Sequence, residues 1–489
     1  MAEEKQEEKE EIKDAQGRDV LAGSRKVLRR ASVDFWSLME RPEYLVVIIG
    51  LLFGLLILSF TPPGQACDEP QHINNSYRLS MGVIVPKTKN GTSGTDLPVS
   101  FVETEQRVGV DRLMVTGEGK EHPTDLASSF SIPLKAGTTT FVDSYLQYPP
   151  LCYVPQAVGM TIGHVFGGPP ILLIYLARLF NLLAVLIIAF LTIRITPVLK
   201  WTFFLLFLMP MTLFQSSSCS ADAMTIAFSF LATAYFFRLA FDKKKEKIER
   251  ADIIGLLAIS LALALIKMPY FLLVFGFFLI PWRKFGNWKK YVLTFAVMLL
   301  IIIVFAGAWQ VFVVKHSAGW SGPQFVPGKA LKDVIRHPLS FMRMEYQRLG
   351  ARQLYLPEMV GYVGWWNITP PWWLWPSFLF MLIAVTALDK DETLVSRWYR
   401  AYSVLIFLVT AAAVIVILHI TMDPLHSTFA NAKDYINGRY FIPPLAFGFL
   451  LFYNKSIKYR KTRFFYVIVT LLAIFFCVTT VVMITHRFY

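Results

Sequence analysis

Asp68 and Glu69 stand side by side, and His72 follows four and three residues later. Carboxylates and an imidazole at that spacing suit general acid–base chemistry. They come just after a sharp break: an apolar run over residues 44–60 ends in Thr61-Pro62-Pro63-Gly64. If the chain resumes as a helix, Asp68 and His72 share one face and Glu69 flanks His72. Carboxylates at the mouth of an apolar helix are costly unless they work there. Capping the helix that follows the Pro-Pro break is the competing reading for both.

The elements that must position these residues are read from composition. Of 489 residues, 55% are hydrophobic and only 17% charged, against about 25% charged in a soluble chain. Mean hydropathy is +0.48. The chain is therefore expected to be an all-α polytopic membrane protein. Its first forty residues are too polar for a cleavable signal, so the first apolar helix is expected to be a retained anchor. The net charge of +14 is a topology signal rather than a nucleic-acid footprint, because Lys and Arg gather in short loops between apolar runs.

Residues 1–43 are expected to form a cytoplasmic tail with an amphipathic helix, and 44–489 a transmembrane domain with long external loops at 61–170 and 315–371. The first loop is expected to be helical through Leu79 and irregular or β-like over 83–120. In the second loop, residues 329–349 read as an amphipathic helix. Residues 148–166 look like a span by hydropathy alone. Crossing there would put Lys243–Lys247 and every later basic loop outside, so the segment is expected to lie in the interface or re-enter. Eleven spans follow: 44–60, 171–193, 201–216, 221–241, 253–266, 270–281, 291–314, 372–388, 401–420, 440–453 and 464–484, with an external C-terminus. Trp365, Trp366, Trp372, Trp373 and Trp375 read as an interfacial belt. Sequons at Asn74 and Asn90 fit external exposure. Four cysteines show no metal spacing. A Cys67–Cys152 bridge is compatible with their common outer location, which does not establish proximity.

This topology rests on the basic loops alone, yet it places Asp68, Glu69, His72, Arg178, Asp222, Lys267, Asp434 and Arg439 on one face. Arg178 lies roughly 10 Å below the outer surface at ~1.5 Å per residue. Mixed charges at one depth predict a cavity opening outward, with an anionic ligand at its cationic part. Blander readings compete. Arg178 pairs with Asp222 as a structural bridge, Lys267 snorkels to headgroups, Asp222 caps its helix, and His72 is a packed histidine. Asp423 and His426 carry no reading of their own. No Walker A loop, nucleophile elbow or zinc helix is present. Enzyme and transporter both stay open, and the two long external loops favour an enzyme.

Several segments together resemble a known family. They are Asp68-Glu69-Pro70-Gln71-His72 with Arg78-Leu79-Ser80-Met81-Gly82; Tyr148-Pro149-Pro150-Leu151 through Pro155-Gln156-Ala157; and Leu176-Ala177-Arg178-Leu179-Phe180-Asn181. Met209-Pro210 through Phe214-Gln215, Ser220-Ala221-Asp222-Ala223, Lys267 and Gly438-Arg439-Tyr440-Phe441-Ile442-Pro443 complete the set. The chain resembles, from about residue 44 to its end, the bacterial multi-pass family catalogued as domain of unknown function 2142, which is similar to the GT-C glycosyltransferases. That resemblance implies a GT-C-like bundle with juxtamembrane helices in its external loops, in the bacterial cytoplasmic membrane. It implies transfer of a sugar from a polyprenyl-phosphate carrier to a glycan or glycolipid of the cell envelope, on the external face. Asp68 or Glu69 would be the base, and Lys267, Arg439 and Arg178 would hold the donor phosphate. His72, Asp222, Tyr148 and Tyr440 would support them. No cofactor is implied, and a metal is not favoured, since the large soluble domain and carboxylate-rich site of the metal-dependent oligosaccharyltransferases have no counterpart. The alternatives are a flippase or transporter of a lipid-linked or anionic substrate, and an O-antigen-type polymerase or ligase.

Overall fold

The computed structural model describes residues 36–110, 120, 123–135, 137–144, 147–316, 327–352, 355–389, 393, 395–422, 436–453 and 462–489. The expected tail, apart from its last residues, and Asp423, His426 and Asp434 lie outside them.

The chain is mostly helical. The first apolar run forms α1 (Pro42–Phe60), which Pro42 can start because the first turn needs no donor. The extended Thr61 and the two prolines behind it end the helix. Helix α2 (Glu69–Ser80) follows, as expected to within a residue. The stretch expected to be irregular holds a hairpin, β1 (Lys87–Lys89) and β2 (Thr92–Pro98), turned at Asn90-Gly91 with both residues at positive φ. It also holds a helix the sequence reading missed, α3 (Val99–Arg107). After α4 (Pro123–Ser129), β3 (Thr139–Asp143) pairs antiparallel with β2, giving the order β1-β2-β3. Ile73, Tyr77, Leu97 and Phe101 from this layer pack on Met160, Leu173 and Ile174, so the sheet sits over one end of the bundle.

The bundle begins with α5 (Val154–Val165) and α6 (Pro170–Ile195). At 12 residues, α5 is about 18 Å long, short of the roughly 30 Å needed to cross. After α6 come α7 (Lys200–Leu208), α8 (Pro210–Ser216), α9 (Ala221–Phe241) and α10 (Arg250–Ala264). A 3₁₀ stretch, Met268–Leu279, leads to α11 (Trp288–His316). The expected amphipathic segment is two helices, α12 (Pro327–Arg336) and α13 (Pro338–Arg352), divided at Pro338. Then come α14 (Tyr355–Val360), α15 (Leu374–Leu388), α16 (Arg397–Met422), a 3₁₀ turn at Gly438–Phe441, α17 (Leu445–Phe449) and α18 (Arg463–Phe488).

Six of these helices are long and apolar enough to cross a membrane, α1, α6, α9, α11, α16 and α18. The other five expected spans are short or interrupted. Residues 201–216 break at Met209-Pro210, 270–281 form the 3₁₀ stretch behind Pro269, and 440–453 break around Pro443-Pro444. Helices α10 and α15 have 15 residues each. The break at Pro210 lies deep in the protein, with every residue from Trp201 to Ser216 buried. Irregular backbone is tolerated in such a place because neighbouring protein can satisfy it.

Contacts orient the chain. The rings of Phe60 and Tyr489 lie 6.1 Å apart, and Lys120 Nζ donates to the Tyr489 carbonyl at 2.8 Å. At the other end Arg463 covers the Trp36 ring. Helices α1 and α18 therefore run in the same direction. Cys67, Cys152, Cys219 and Cys477 are all buried and unbridged, so introduced cysteines would report topology on a quiet background. Cysteines at Lys89 in the hairpin and Lys244 in the basic loop are expected to react with an impermeant maleimide from opposite faces. Labelling of both from one face would overturn the orientation drawn from the basic loops. Asn74 is buried and donates to the Asp143 carbonyl, so of the two sequons only Asn90 is open to solvent.

Candidate functional site

Glu69 and Arg178 do not stand in an open site. Both side chains are fully buried and paired in a two-pronged bridge, Nε to Oε1 at 2.8 Å and Nη2 to Oε2 at 2.6 Å. The remaining acceptor capacity of Glu69 is taken by the backbone N–H groups of Cys219, Gly64 and Ala66. Arg178 also donates to the carbonyls of Leu58, Thr61 and Pro62. The pair thus ties the Pro-Pro break after α1 to α6 and to the turn before α9. The alternative bridge from Arg178 to Asp222 is not formed. A carboxylate with five donors has no lone pair left for an acceptor hydroxyl, and an arginine spent on three carbonyls and a carboxylate has none for a phosphate.

Asp68 is placed differently. It sits at the head of α2 with φ 65° and makes no capping bond. Its side chain is 47% exposed and meets Arg439 Nη2 at 2.5 Å. Arg439 in turn lies 3.1 Å from Asp222, through Nε and Oδ2, and Asp222 Oδ1 lies 2.5 Å from Lys267 Nζ. The result is a row of alternating charge, Asp68–Arg439–Asp222–Lys267, whose last three members are buried. Asp222 is not the cap of α9. Ser220 is, accepting the Asp222 N–H at 3.1 Å, which leaves the carboxylate free for the two cations. Lys267 does not snorkel outward. Its ammonium lies 4.3 Å from the Tyr148 ring centre and 5.1 Å from that of Tyr440, both within cation–π range. Tyr440 also accepts from Arg439 Nη2 at 3.3 Å. His72 bonds through Nδ1 to the Tyr153 hydroxyl at 3.0 Å rather than to either carboxylate. Burial pushes its pKa down to about 4 although Asp68 opposes this, so the ring is neutral at ordinary pH. Burial raises the Asp68 pKa, but the Arg439 guanidinium, helped by Lys267, outweighs it and holds the carboxyl below its ordinary range.

The family-like segments quoted from the sequence also build the frame. Gln156 Nε2 donates to Asn181 Oδ1 and the Ser220 carbonyl, while its Oε1 accepts from Ser76 Oγ. Asn181 donates to the carbonyls of Gln215, Ser216 and Ser218. These bonds lock α2, α5, α6 and the turn that presents Asp222.

Two positioning groups escaped the sequence reading. Asn437 Oδ1 accepts the Arg439 N–H at 3.0 Å. Glu358 of α14, fully buried, accepts the Gly438 N–H at 2.9 Å. The one signal was a lone acid in the apolar run Tyr355-Leu356-Pro357-Glu358-Met359-Val360. Trp365, expected in the interfacial belt, donates from Nε1 to the Gly64 carbonyl at 2.9 Å, so the second loop grips the first. A Cβ on Gly438 would stand 2.1 Å from the Tyr355 carbonyl oxygen and 2.6 Å from the Met359 nitrogen. Gly438→Ala is therefore expected to push α14 off the Arg439 turn at about 1–3 kcal/mol of stability, measured as a lowered melting temperature. Unchanged melting would show that the turn has room.

Among the described residues, no three His, Cys, Asp or Glu side chains are grouped as metal ligands. A cavity of about 530 Å³ lies elsewhere, between α12, α13 and His419 of α16.

No curated protein and no solved structure matches this chain. Residues 51–448 match the family described as predicted membrane protein, domain of unknown function 2142. That stretch spans most of the chain and takes in the whole charge row from Asp68 to Arg439. The chain belongs to this membrane-protein family.

Proposed function

We propose that this protein is a GT-C-type glycosyltransferase. It moves a sugar from a polyprenyl-phosphate carrier to a glycan or glycolipid of the bacterial cell envelope, on the external face of the cytoplasmic membrane. The observation that carries this is the convergence of Lys267 and Arg439 on one carboxylate beside a half-exposed Asp68. Breaking a sugar–phosphate bond builds negative charge on the leaving phosphate, and cations already in place stabilise it. Asp68 takes the acceptor proton. Asp222 holds both cations and Tyr148 and Tyr440 flank Lys267. Glu69 and Arg178 hold the loop that carries Asp68.

The same reading keeps eleven passages and an external C-terminus. Parallel α1 and α18 support an odd count. The short segments also connect opposite ends: α10 leads to Lys267 beside Asp222, α15 ends where Asp389 accepts the Trp201 N–H, and the chain after Arg439 ends where Tyr453 bonds the Thr393 carbonyl.

The test is transfer by the purified full-length chain, given a polyprenyl-phosphate sugar and candidate envelope glycans. Lys267→Met is expected to slow transfer by roughly 2–4 kcal/mol of barrier. The charge row is balanced, two acids against two bases, and a balanced row also suits a carrier that exchanges ion pairs as it moves. Transport of the lipid-linked sugar without product would establish that second reading in place of the first.

A further inference from the structure

Three of the buried cations near the site have carboxylate partners. Arg178 has Glu69, while Lys267 and Arg439 share Asp222, with Asp68 on Arg439 as well. Arg78 is different. It lies on α2, less than two turns beyond His72, and is 5% exposed. Among the described residues it has no ion pair, and its Nε has no hydrogen-bond partner. Its Nη1 makes one long bond, 3.4 Å, to Ser144 Oγ, and that hydroxyl already donates to Asn75 Oδ1. Asp143, next to Ser144, is exposed, and it is the Asp143 main-chain carbonyl that faces α2, bonded by Asn74. The polar group between Arg78 and His72 is the Tyr153 hydroxyl. It lies within electrostatic reach of Arg78 and bonds His72.

A guanidinium removed from water with only neutral company is costly. The negative end of the α2 dipole offsets part of that cost. Burial brings the Arg78 pKa down to about 10, so it stays charged at neutral pH. A charge kept under these conditions suits a ligand that supplies the missing anion, and sites that bind at the expense of stability are common.

We propose that Arg78 is a second oxyanion subsite, which takes a phosphate group when the first anionic group of the bound ligands occupies Lys267 and Arg439. This rests on the reading of the charge row as a phosphate site. A diphosphate on the lipid carrier, in place of the single phosphate proposed above, and a phosphate on the acceptor share this chemistry.

The experiment measures binding of three probes to the full-length protein in detergent at fixed salt: farnesyl monophosphate, farnesyl diphosphate and glucose 6-phosphate. With Arg78→Met, farnesyl diphosphate is expected to bind about tenfold more weakly, the loss of one charge-assisted contact, while the monophosphate holds. Arg78→Lys is expected to recover part of the loss. A loss confined to glucose 6-phosphate supports the subsite and places the phosphate on the acceptor. The melting temperature of Arg78→Met is expected to equal or exceed that of the parent, since an unpaired buried charge is removed. Parent-like binding of all three probes, or a marked drop in melting temperature that Arg78→Lys repairs, overturns the proposal. Failure of the underlying reading looks different: Lys267→Met would then leave farnesyl monophosphate binding unchanged, whatever Arg78 does.

Discussion

Replacing Glu69 by glutamine is expected to cost about 3–5 kcal/mol of stability, the penalty for stranding a buried charge. Glutamine offers one oxygen where the structure needs two. Its amide group would face donors: Arg178 Nη2 and the N–H groups of Gly64 and Ala66 on one side, or Arg178 Nε and the Cys219 N–H on the other. Arg178 would be left buried and charged. Arg178→Met is expected to fail similarly, because it frees a carboxylate and three carbonyls at once. The measurement is thermal unfolding of purified variants in detergent, with elution profiles to detect aggregation. A Glu69→Gln protein that melts with the parent would show that the bridge does not hold the loop, and would reopen Glu69 as a base.

Asp68→Asn should do the reverse. Its side chain is 47% exposed and its one charged partner keeps Asp222 in reserve. Ion pairs of this half-exposed kind contribute about 0–1 kcal/mol. Melting is therefore expected to change little, while transfer falls by roughly 10²–10⁴ if Asp68 is the base. The two neighbours are separated by this contrast, one lost through folding and the other through rate. Transfer by Asp68→Asn at the parent's rate would remove Asp68 from the mechanism.

Much of this was legible because it is local. The break after Phe60 and the helix that follows are read from Pro-Pro and helical spacing. The division of labour between Asp68 and Glu69 was not, because it depends on Arg178, 109 residues further on. Nothing near Glu69 in the chain announces that partner. The same holds for Glu358 and Gly438, 80 residues apart. The breaks within the short segments were not legible for a physical reason. Hydropathy registers how apolar a stretch is, while the interruptions at Pro210, Pro269 and Pro443-Pro444 are backbone properties that an enclosing bundle can accommodate. Arg78 was read only as part of a motif, since the absence of a counter-charge becomes visible only in three dimensions.

On the transfer reading, the contact between Asp68 and Arg439 has a consequence for idle turnover. Water is the most abundant hydroxyl at any membrane surface, and a strong base beside an activated sugar would spill that sugar onto water. Asp68 is tethered to the guanidinium, which keeps the carboxylate a feeble base. If a donor phosphate takes over Arg439, Asp68 is released and its basicity recovers. On the transfer reading, the same arginine acts as a safety catch, silencing the base until there is cargo to deliver.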